Sequence, residues 1–354
     1  MKNRRRLIHA SAAIALTLVL RPASAQSPSP PTAPAKKPLT ELTAGDRNLP
    51  VHDPSTIVKC KDDYWVFYTG NGAPSAHSKD LVNWVRGPRG GVITRQDWVA
   101  AAVPGNQGNN CWAPDVMKIG DKYFLYYAVS TFGSPISAIG LSTSPTLDPA
   151  DPTYKWTDKG IVVQSQRSDN FNAIDPAIAK DADGGLWLSF GSFWSGIKLI
   201  QLDPATGKRI NPDSKIYALA HSSQIEASYI YHHDKYYYLF VNWGKCCNGV
   251  NSTYNIRVGR SEKITGPYLD KTGKDMMNDG GSLLLGSEDQ FIGPGHAGIF
   301  DFNGKEMISF HYEADDKRRN ALAIRPLTWD KDAWPVVERV PEPTPAAPGP
   351  SATH

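Results

Sequence analysis

One pattern recurs through the chain and restricts its fold more than any other feature. It is a short apolar strand, a turn rich in Asp, Gly, Asn or Lys, and a second strand dense in aromatics. It first occurs in VHDPSTIVKCKDDYWVFYTG, residues 51–70. It returns in APDVMKIGDKYFLYYAVS from Ala113, DPAIAKDADGGLWLSFGS from Asp175, EASYIYHHDKYYYLFVN from Glu226 and HAGIFDFNGKEMISFHY from His296. Alternation with β-branched and aromatic residues argues for strands, and the intervening residues suit tight hairpins. No amphipathic helix of ten or more residues stands between the units. Repeats at intervals of about 50–70 residues are the mark of a propeller, one unit per four-stranded blade. The pattern therefore predicts an all-β fold, a five-bladed β-propeller. A two-sheet sandwich would use the same strands but would not explain the common beginning of every unit.

The ends of the chain read differently. Lys2, Arg4, Arg5 and Arg6, the apolar run Leu7 to Leu20 and Ala23-Ser24-Ala25 predict a secretory signal peptide over residues 1–25. That run is short and is interrupted by His9, Ser11 and Thr17, so it makes a poor membrane anchor. Residues 26–47 read as a Pro/Ser/Ala-rich flexible linker and 339–354 as a disordered Pro-rich tail, which leaves 48–338 as the propeller catalytic domain. The expected location is secreted, either extracellular or periplasmic. The formal net charge of +3 has no Lys/Arg stripe behind it in the mature region, so no nucleic acid partner is expected. No second apolar span suggests a membrane partner, and a monomer is expected. Four cysteines (Cys60, Cys111, Cys246 and Cys247) are too few for a disulfide scaffold and lack a CxxC spacing for zinc. They read as small apolar residues or as one bridge.

Counting back ten or eleven residues from the second strand of each hairpin reaches Asp53, Trp112, Asp175, Glu226 and His296. In a propeller the innermost strands surround one axis, so these distant residues are expected to meet in one pocket. Charged side chains are rarely buried without pairing or function. Three carboxylates, an imidazole and an indole at equivalent positions point to a site rather than to packing.

Such a set suits hydrolysis of a glycosidic bond. That reaction needs one carboxyl group that stays protonated to serve the leaving oxygen, and one that stays ionised to activate water or attack carbon. Apolar burial and a neighbouring negative charge raise a carboxyl pKa, whereas donors and cations lower it. Glu226, with its longer reach and the apolar context SSQIEASYIY, reads as the acid. Asp53, between His52 and Pro54, reads as the base, and Asp175 in FNAIDPAIAK as the modulator of the acid. The two aspartates can be exchanged in this reading. Trp112, Phe132 and Trp194 are candidate stacking faces for sugar rings. The competing reading for each is packing between blades, since most of the ten tryptophans must be core.

HDPSTIVK, CWAPDVMKIGDKYFLYYAVSTFGS, NAIDPAI, SSQIEASYIY and GPGHAGIF, in that order over residues 48–338, resemble the endo-α-1,5-L-arabinanases of glycoside hydrolase family 43. The resemblance implies a five-bladed propeller with an open groove, inversion at the anomeric carbon, and arabinan, a pectin side chain, as the polysaccharide substrate. It implies Asp53 as general base, Glu226 as general acid and Asp175 as pKa modulator. It sets His296, in GHAG, beside a channel-bound calcium held largely through waters. Calcium prefers oxygen, so the alternative is that His296 only tunes the carboxylates. His52, Trp112, Phe132, Gly133, Asn172, Ser192 and Trp194 would line the sugar subsites. NWGKCCNG resembles a paired-cysteine loop near the cleft. SFHYEADD departs from the family where many members carry further aromatics after His311.

Two rival readings remain at this stage. An exo-acting α-L-arabinofuranosidase or β-xylosidase would use the same scaffold with one end of the groove walled off. The fifth unit ends near residue 338 with no accessory β-sandwich after it, which favours an open groove. A sugar-binding propeller without catalysis would have no use for all three carboxylates.

Overall fold

A computed structural model describes residues 49–288, 291–313 and 320–338. The expected signal peptide, linker and C-terminal tail lie outside the described residues. The expectation of an all-β chain holds. The described helices are Trp98–Ala102 and two single 3-10 turns, and everything else of regular structure is strand.

Five antiparallel sheets follow one another along the chain. Their innermost strands are Val58–Cys60, Asn110–Ile119, Ala177–Lys180, Ile225–His233 and Ile292–Phe302. Each is paired with the next strand in sequence through a hairpin. The second blade carries a short extra strand, Gly70–Asn71, on its inner edge. These are the five blades predicted from the repeats.

The aromatic second strands explain why the blades pack. In a strand buried on both faces, alternate side chains serve different neighbours. In the second blade Tyr123, Leu125, Tyr127 and Val129 join Trp65 and Phe67 of the first blade. Phe124, Tyr126 and Ala128 from the same strand join Leu186, Leu188 and Phe190 of the third. Tyr237, Leu239 and Val241 likewise face the third blade, while Tyr238 and Phe240 face the fifth. The fifth cluster joins the first and last blades: Leu49, Val51, Ile57 and Val66 pack on Phe300, Phe302, Met307 and Leu322. The main chain closes the same ring, with Val51 N–H donating to Asn320 O and Leu322 N–H to Leu49 O.

Asp115 ties three blades together near their inner edges. It is buried, and its two carboxyl oxygens accept the Thr56 N–H of the first blade and the Ile178 N–H of the third, each at 2.9 Å. Burial raises its carboxyl pKa, and these amide donors work against that rise. Asp115→Ala should destabilise the fold by about 1–3 kcal/mol for each amide left buried without an acceptor. Asp115→Asn, which keeps one acceptor oxygen, should cost less. Urea denaturation of the two variants checks the order.

Candidate active site

The innermost strands share a backbone device that the counting argument did not reveal. Asp53, Ala113, Asp175, Ala227 and His296 are all left-handed, with φ between 41° and 60°. In the second, fourth and fifth blades the pairing register slips at this point, which marks a β-bulge. The equivalent residues are therefore Asp53, Ala113, Asp175, Ala227 and His296, so Trp112 and Glu226 each precede the shared position by one. Bulges at Trp112–Asp115 and Glu226–Tyr229 add a residue to these inner strands and not to their partners, and the distance from hairpin to bulge differs between blades. A fixed count back from the hairpin therefore runs one residue past Ala113 and Ala227.

Four of the five left-handed residues give their amide proton to a side chain of the preceding blade. Asp53 N–H donates to His311 Nδ1 at 3.0 Å and Ala113 N–H to Thr69 Oγ1 at 2.8 Å. Ala227 N–H donates to Asp175 Oδ2 at 3.0 Å and His296 N–H to Asn242 Oδ1 at 2.9 Å. These bonds hold the bulges that turn side chains out of the sheets and into a cavity.

That cavity is about 1040 Å³ and brings together the predicted catalytic and sugar-binding residues. Its lining includes Asp53, Asp175 and Glu226, with His52, Trp112, Phe132, Gly133, Asn172, Ser192 and Trp194. His296 is not part of that lining, but its Nδ1 lies 3.4 Å from Asp53 Oδ1. Phe132 is 93 % exposed and Trp194 41 %, so both offer free faces. Trp112 does two things, lining the cavity and packing on the cluster between the second and third blades. Ser192 also has a second role, because its hydroxyl donates to Glu226 Oε2 at 2.8 Å.

The three carboxyl groups sit in two electrostatic regimes. Asp53 Oδ2 accepts the Thr69 hydroxyl at 2.7 Å and lies 3.4 Å from His52 Nε2. Burial alone would raise its pKa, but His52 and His296 beside it outweigh burial and hold it far below the ordinary carboxylate range. His52 responds in the opposite sense: burial disfavours its charge, yet Asp53 and the Cys247 sulfur push it up to about 9. Burial likewise works against charge on His296, and the hydrogen bond to Asp53 wins, so its pKa is also raised. His311 is neutral, because burial and the neighbouring His52 drive its pKa well down. Its Nδ1 accepts the Asp53 amide, so the ring proton sits on Nε2.

Asp175 and Glu226 are pushed the other way. Burial and the Glu226 charge raise Asp175 to about 8, despite the opposing charge of His296. Burial also raises Glu226, against the hydroxyls of Ser192 and Tyr254 that donate to its two oxygens at 2.8 and 3.0 Å. A charged Glu226 resists ionisation of Asp175, so the pair keeps a proton at neutral pH. Glu226 is half-buried on the cavity wall, whereas Asp175 is buried at 8 % exposure. The partner that can hand a proton to a ligand is thus Glu226.

The fit to calcium was tested on the donors around His296. Calcium takes about six to eight oxygen ligands. Here the nearby groups are imidazoles and the Asp53 carboxylate, which the histidines already engage. His311 Nε2 is buried without a partner, but it carries the ring proton and is a donor, not a cation ligand. These residues do not form a protein cage for calcium, and only an ion held through water fits them.

Sequence reasoning missed Thr69, Tyr254 and His311, which read as ordinary members of aromatic strands. The sequence GKCCNG, in contrast, does fall on the cavity wall through Lys245, Cys246, Cys247 and Asn248.

Comparison with known proteins agrees with this geometry. Residues 48–335 match the family model described as glycosyl hydrolases family 43. The extracellular exo-α-(1→5)-L-arabinofuranosidase of Cellvibrio japonicus is 42 % identical over 311 residues, 84 % of this chain and 89 % of that protein. The extracellular endo-α-(1→5)-L-arabinanase 1 of Bacillus subtilis is 42 % identical over 299 residues, 82 % of this chain and 88 % of that protein. The structure of the Cellvibrio cellulosa α-L-arabinanase complexed with arabinohexaose superposes with a TM-score of 0.77 at 40 % identity, covering 82 % of this chain and 96 % of that one. With its five blades, its carboxylate-lined cavity and a match across the whole described domain, the chain belongs to glycosyl hydrolase family 43 and is a glycoside hydrolase.

Proposed function

We propose that this protein is an exported endo-acting arabinanase that cleaves α-1,5-linked L-arabinofuranosyl bonds with inversion. The observation that carries the reading is the split between one carboxylate held ionised, Asp53, and a carboxyl pair that retains a proton, Asp175 and Glu226, around one sugar-sized cavity. Asp53 takes a proton from the attacking water, and Glu226 gives one to the leaving oxygen in the same step. The pair holds one proton between its two carboxyls; with that proton on Glu226 the ionised Asp175 keeps it there, and the Asp175 bond to the Ala227 amide fixes the turn that carries Glu226. Trp112, Trp194 and Phe132 offer stacking faces, and His52, Asn172, Ser192 and Gly133 line the sugar path. Phe132 stands exposed at the rim of the cavity, where a chain running past the cleaved bond can stack on it, which supports internal cleavage. The relatives of both the exo and the endo name stand at 42 % identity, so an exo-acting arabinofuranosidase is the second reading. Export is supported by the word extracellular in both of those names and by the N-terminal sequence pattern. A calcium ion held through water beside His296 belongs to the proposal, and no proton transfer is assigned to it.

Linear arabinan should yield a mixture of oligomers, and proton NMR of the first product should give the anomer opposite to the substrate linkage. Arabinose as the sole product selects the exo reading; binding without any reducing ends selects a sugar-binding propeller. Glu226→Gln and Asp53→Asn should each lower kcat about 10²–10⁴-fold.

The pH profile follows from the same groups. The working form has Asp53 ionised and a proton on Glu226, so kcat/KM should fall as pH rises through the titration of Glu226, which burial moves above the usual carboxylate range. The acid limb should lie well below the usual carboxylate range. Asp175→Asn removes the charge that holds the Glu226 proton, so the alkaline limb should move to lower pH by about 1 unit or more. Activity profiles of the two proteins check the sign. Dialysis against EDTA should lower both Tm and activity, and added calcium should restore both; unchanged values would remove the ion from the proposal.

A further inference from the structure

Two cysteines that the proposed hydrolysis does not use stand on the wall of the same cavity. Cys246 and Cys247 are adjacent, with their sulfurs 2.9 Å apart, and Cys247 Sγ lies 3.5 Å from His52 Nε2. His52 Nε2 is in turn 3.4 Å from Asp53 Oδ2. The loop is built to keep them there. Its base is tied by Lys245 N–H donating to Thr253 Oγ1, Thr253 N–H to Lys245 O, and the Ser252 hydroxyl to Lys245 O. Its far side is clamped by buried Glu313, whose two oxygens accept the amides of Asn248 and Gly249 at 3.2 and 2.8 Å. Glu313 is part of the same SFHYEADD stretch that departs from the family pattern. Cys247 itself is left-handed, at φ 60°. A residue other than glycine stays in that conformation only where its surroundings enforce it.

His52, Cys246 and Cys247 also have the composition of a soft-metal site, their ligand atoms lying within 4.8 Å of one another. The spacing argues against that use. Two thiolates on one tetrahedral zinc, each at about 2.3 Å, stand ~3.7 Å apart. The 2.9 Å between these two sulfurs is too short for a shared metal and is an approach towards a bond.

We propose that Cys246 and Cys247 form a thiol–disulfide modification site, open to small disulfides and thiols from the cleft, whose oxidised state tightens binding of the sugar chain. The kinetic half of the proposal rests on the arabinan reading; the chemical half does not. Cys247, exposed and beside His52, is the attacking sulfur. The hydrogen bond from Cys246 and the charge of His52 together lower its pKa to about 5, against its partial burial. Its thiolate displaces one thiolate from a small disulfide RSSR, which leaves as RSH after taking a proton. The Cys246 thiol then loses its proton and attacks Cys247 Sγ of the mixed disulfide, releasing the second RSH. Two protein thiols and RSSR thus become one eight-membered disulfide ring and two RSH. The ring fixes the torsions at the tip of the loop and keeps Cys247 left-handed, so the wall between Lys245 and His52 meets the sugar preformed. Reduction lets the tip relax, and the affinity for the chain falls with it.

The test uses the purified full-length protein, exposed either to oxidised glutathione or to dithiothreitol, then denatured, alkylated and digested. The peptide carrying Cys246 and Cys247 should take no label after oxidation and be about 2 Da lighter than the dithiol, and should take two labels after reduction. Cys60 and Cys111, both buried, should take label equally in the two samples. KM for linear arabinan should be several-fold lower for the oxidised enzyme, with kcat changed less. The double variant Cys246→Ser/Cys247→Ser should lose this difference whatever its basal activity. Two labels after glutathione, or a stable glutathione adduct on Cys247 without ring closure, would overturn the site. Ring closure with an unchanged KM would overturn its effect on binding. If arabinan proves not to be a substrate, the labelling result still stands or falls alone.

Discussion

Everything at the centre of this molecule depends on one left-handed residue in or just before each innermost strand. A regular strand would send side chains alternately to its two faces, into the packing between blades. A left-handed residue at the same place breaks that alternation and aims a side chain at the axis. The conformation costs about 1–3 kcal/mol for a residue other than glycine, and at all five positions the residue is not glycine. Part of that cost is offset by capturing the amide on the neighbouring blade, through His311, Thr69, Asp175 and Asn242. Each such bond crosses from one blade to the next. The ring of blades therefore holds the bulges, and the bulges hold the site.

The electrostatic division follows from this placement. Asp53 lies on the first blade, beside its neighbour His52 and His296 of the fifth blade, whose raised pKa values favour their cationic forms, while neutral His311 accepts its amide. Asp175 and Glu226 lie on the third and fourth blades, where burial and, for Asp175, the Glu226 charge dominate. One fold thus keeps one carboxylate ionised and a proton on the other pair within a single cavity, with no need for distant charges. The electrostatic asymmetry of the ring is chemical: the left-handed turn recurs in every blade, and the side chains at two adjacent positions differ.

The fold was legible because a hairpin repeat writes itself into hydrophobic alternation and turn residues. The aromatic second strands, such as Lys122–Val129, announce burial on both faces. The carboxylates were legible because Asp53, Asp175 and Glu226 interrupt apolar runs at a recurring place. The register of Trp112 and Glu226 was not, because a bulge adds a residue on one strand alone and leaves no compositional trace. Thr69, Tyr254 and His311 were not visible for a different reason. Their residue types are common in strands, and only the closing of the ring brings His311 of the last blade under Asp53 of the first. Asp115 shows the same limit: in APDVMK nothing distinguishes a carboxylate that bridges blades from one that faces solvent.

Because the same atoms hold the ring and tune the chemistry, removing them tests two things at once. Asp175, when ionised, favours the proton on Glu226 and also accepts the Ala227 amide, which fixes the turn next to Glu226. Truncation at this position would orphan a buried amide and move the acid as well as lowering its pKa, and the two losses could not be separated. An amide side chain keeps an oxygen for Ala227 and removes only the charge. The same reasoning applies to Thr69, whose hydroxyl both donates to Asp53 and accepts from Ala113. Serine there would retain both bonds, whereas valine, though closer in shape, would retain neither. In a site assembled from strained turns, the informative substitution is the one that preserves the hydrogen bond and changes the charge.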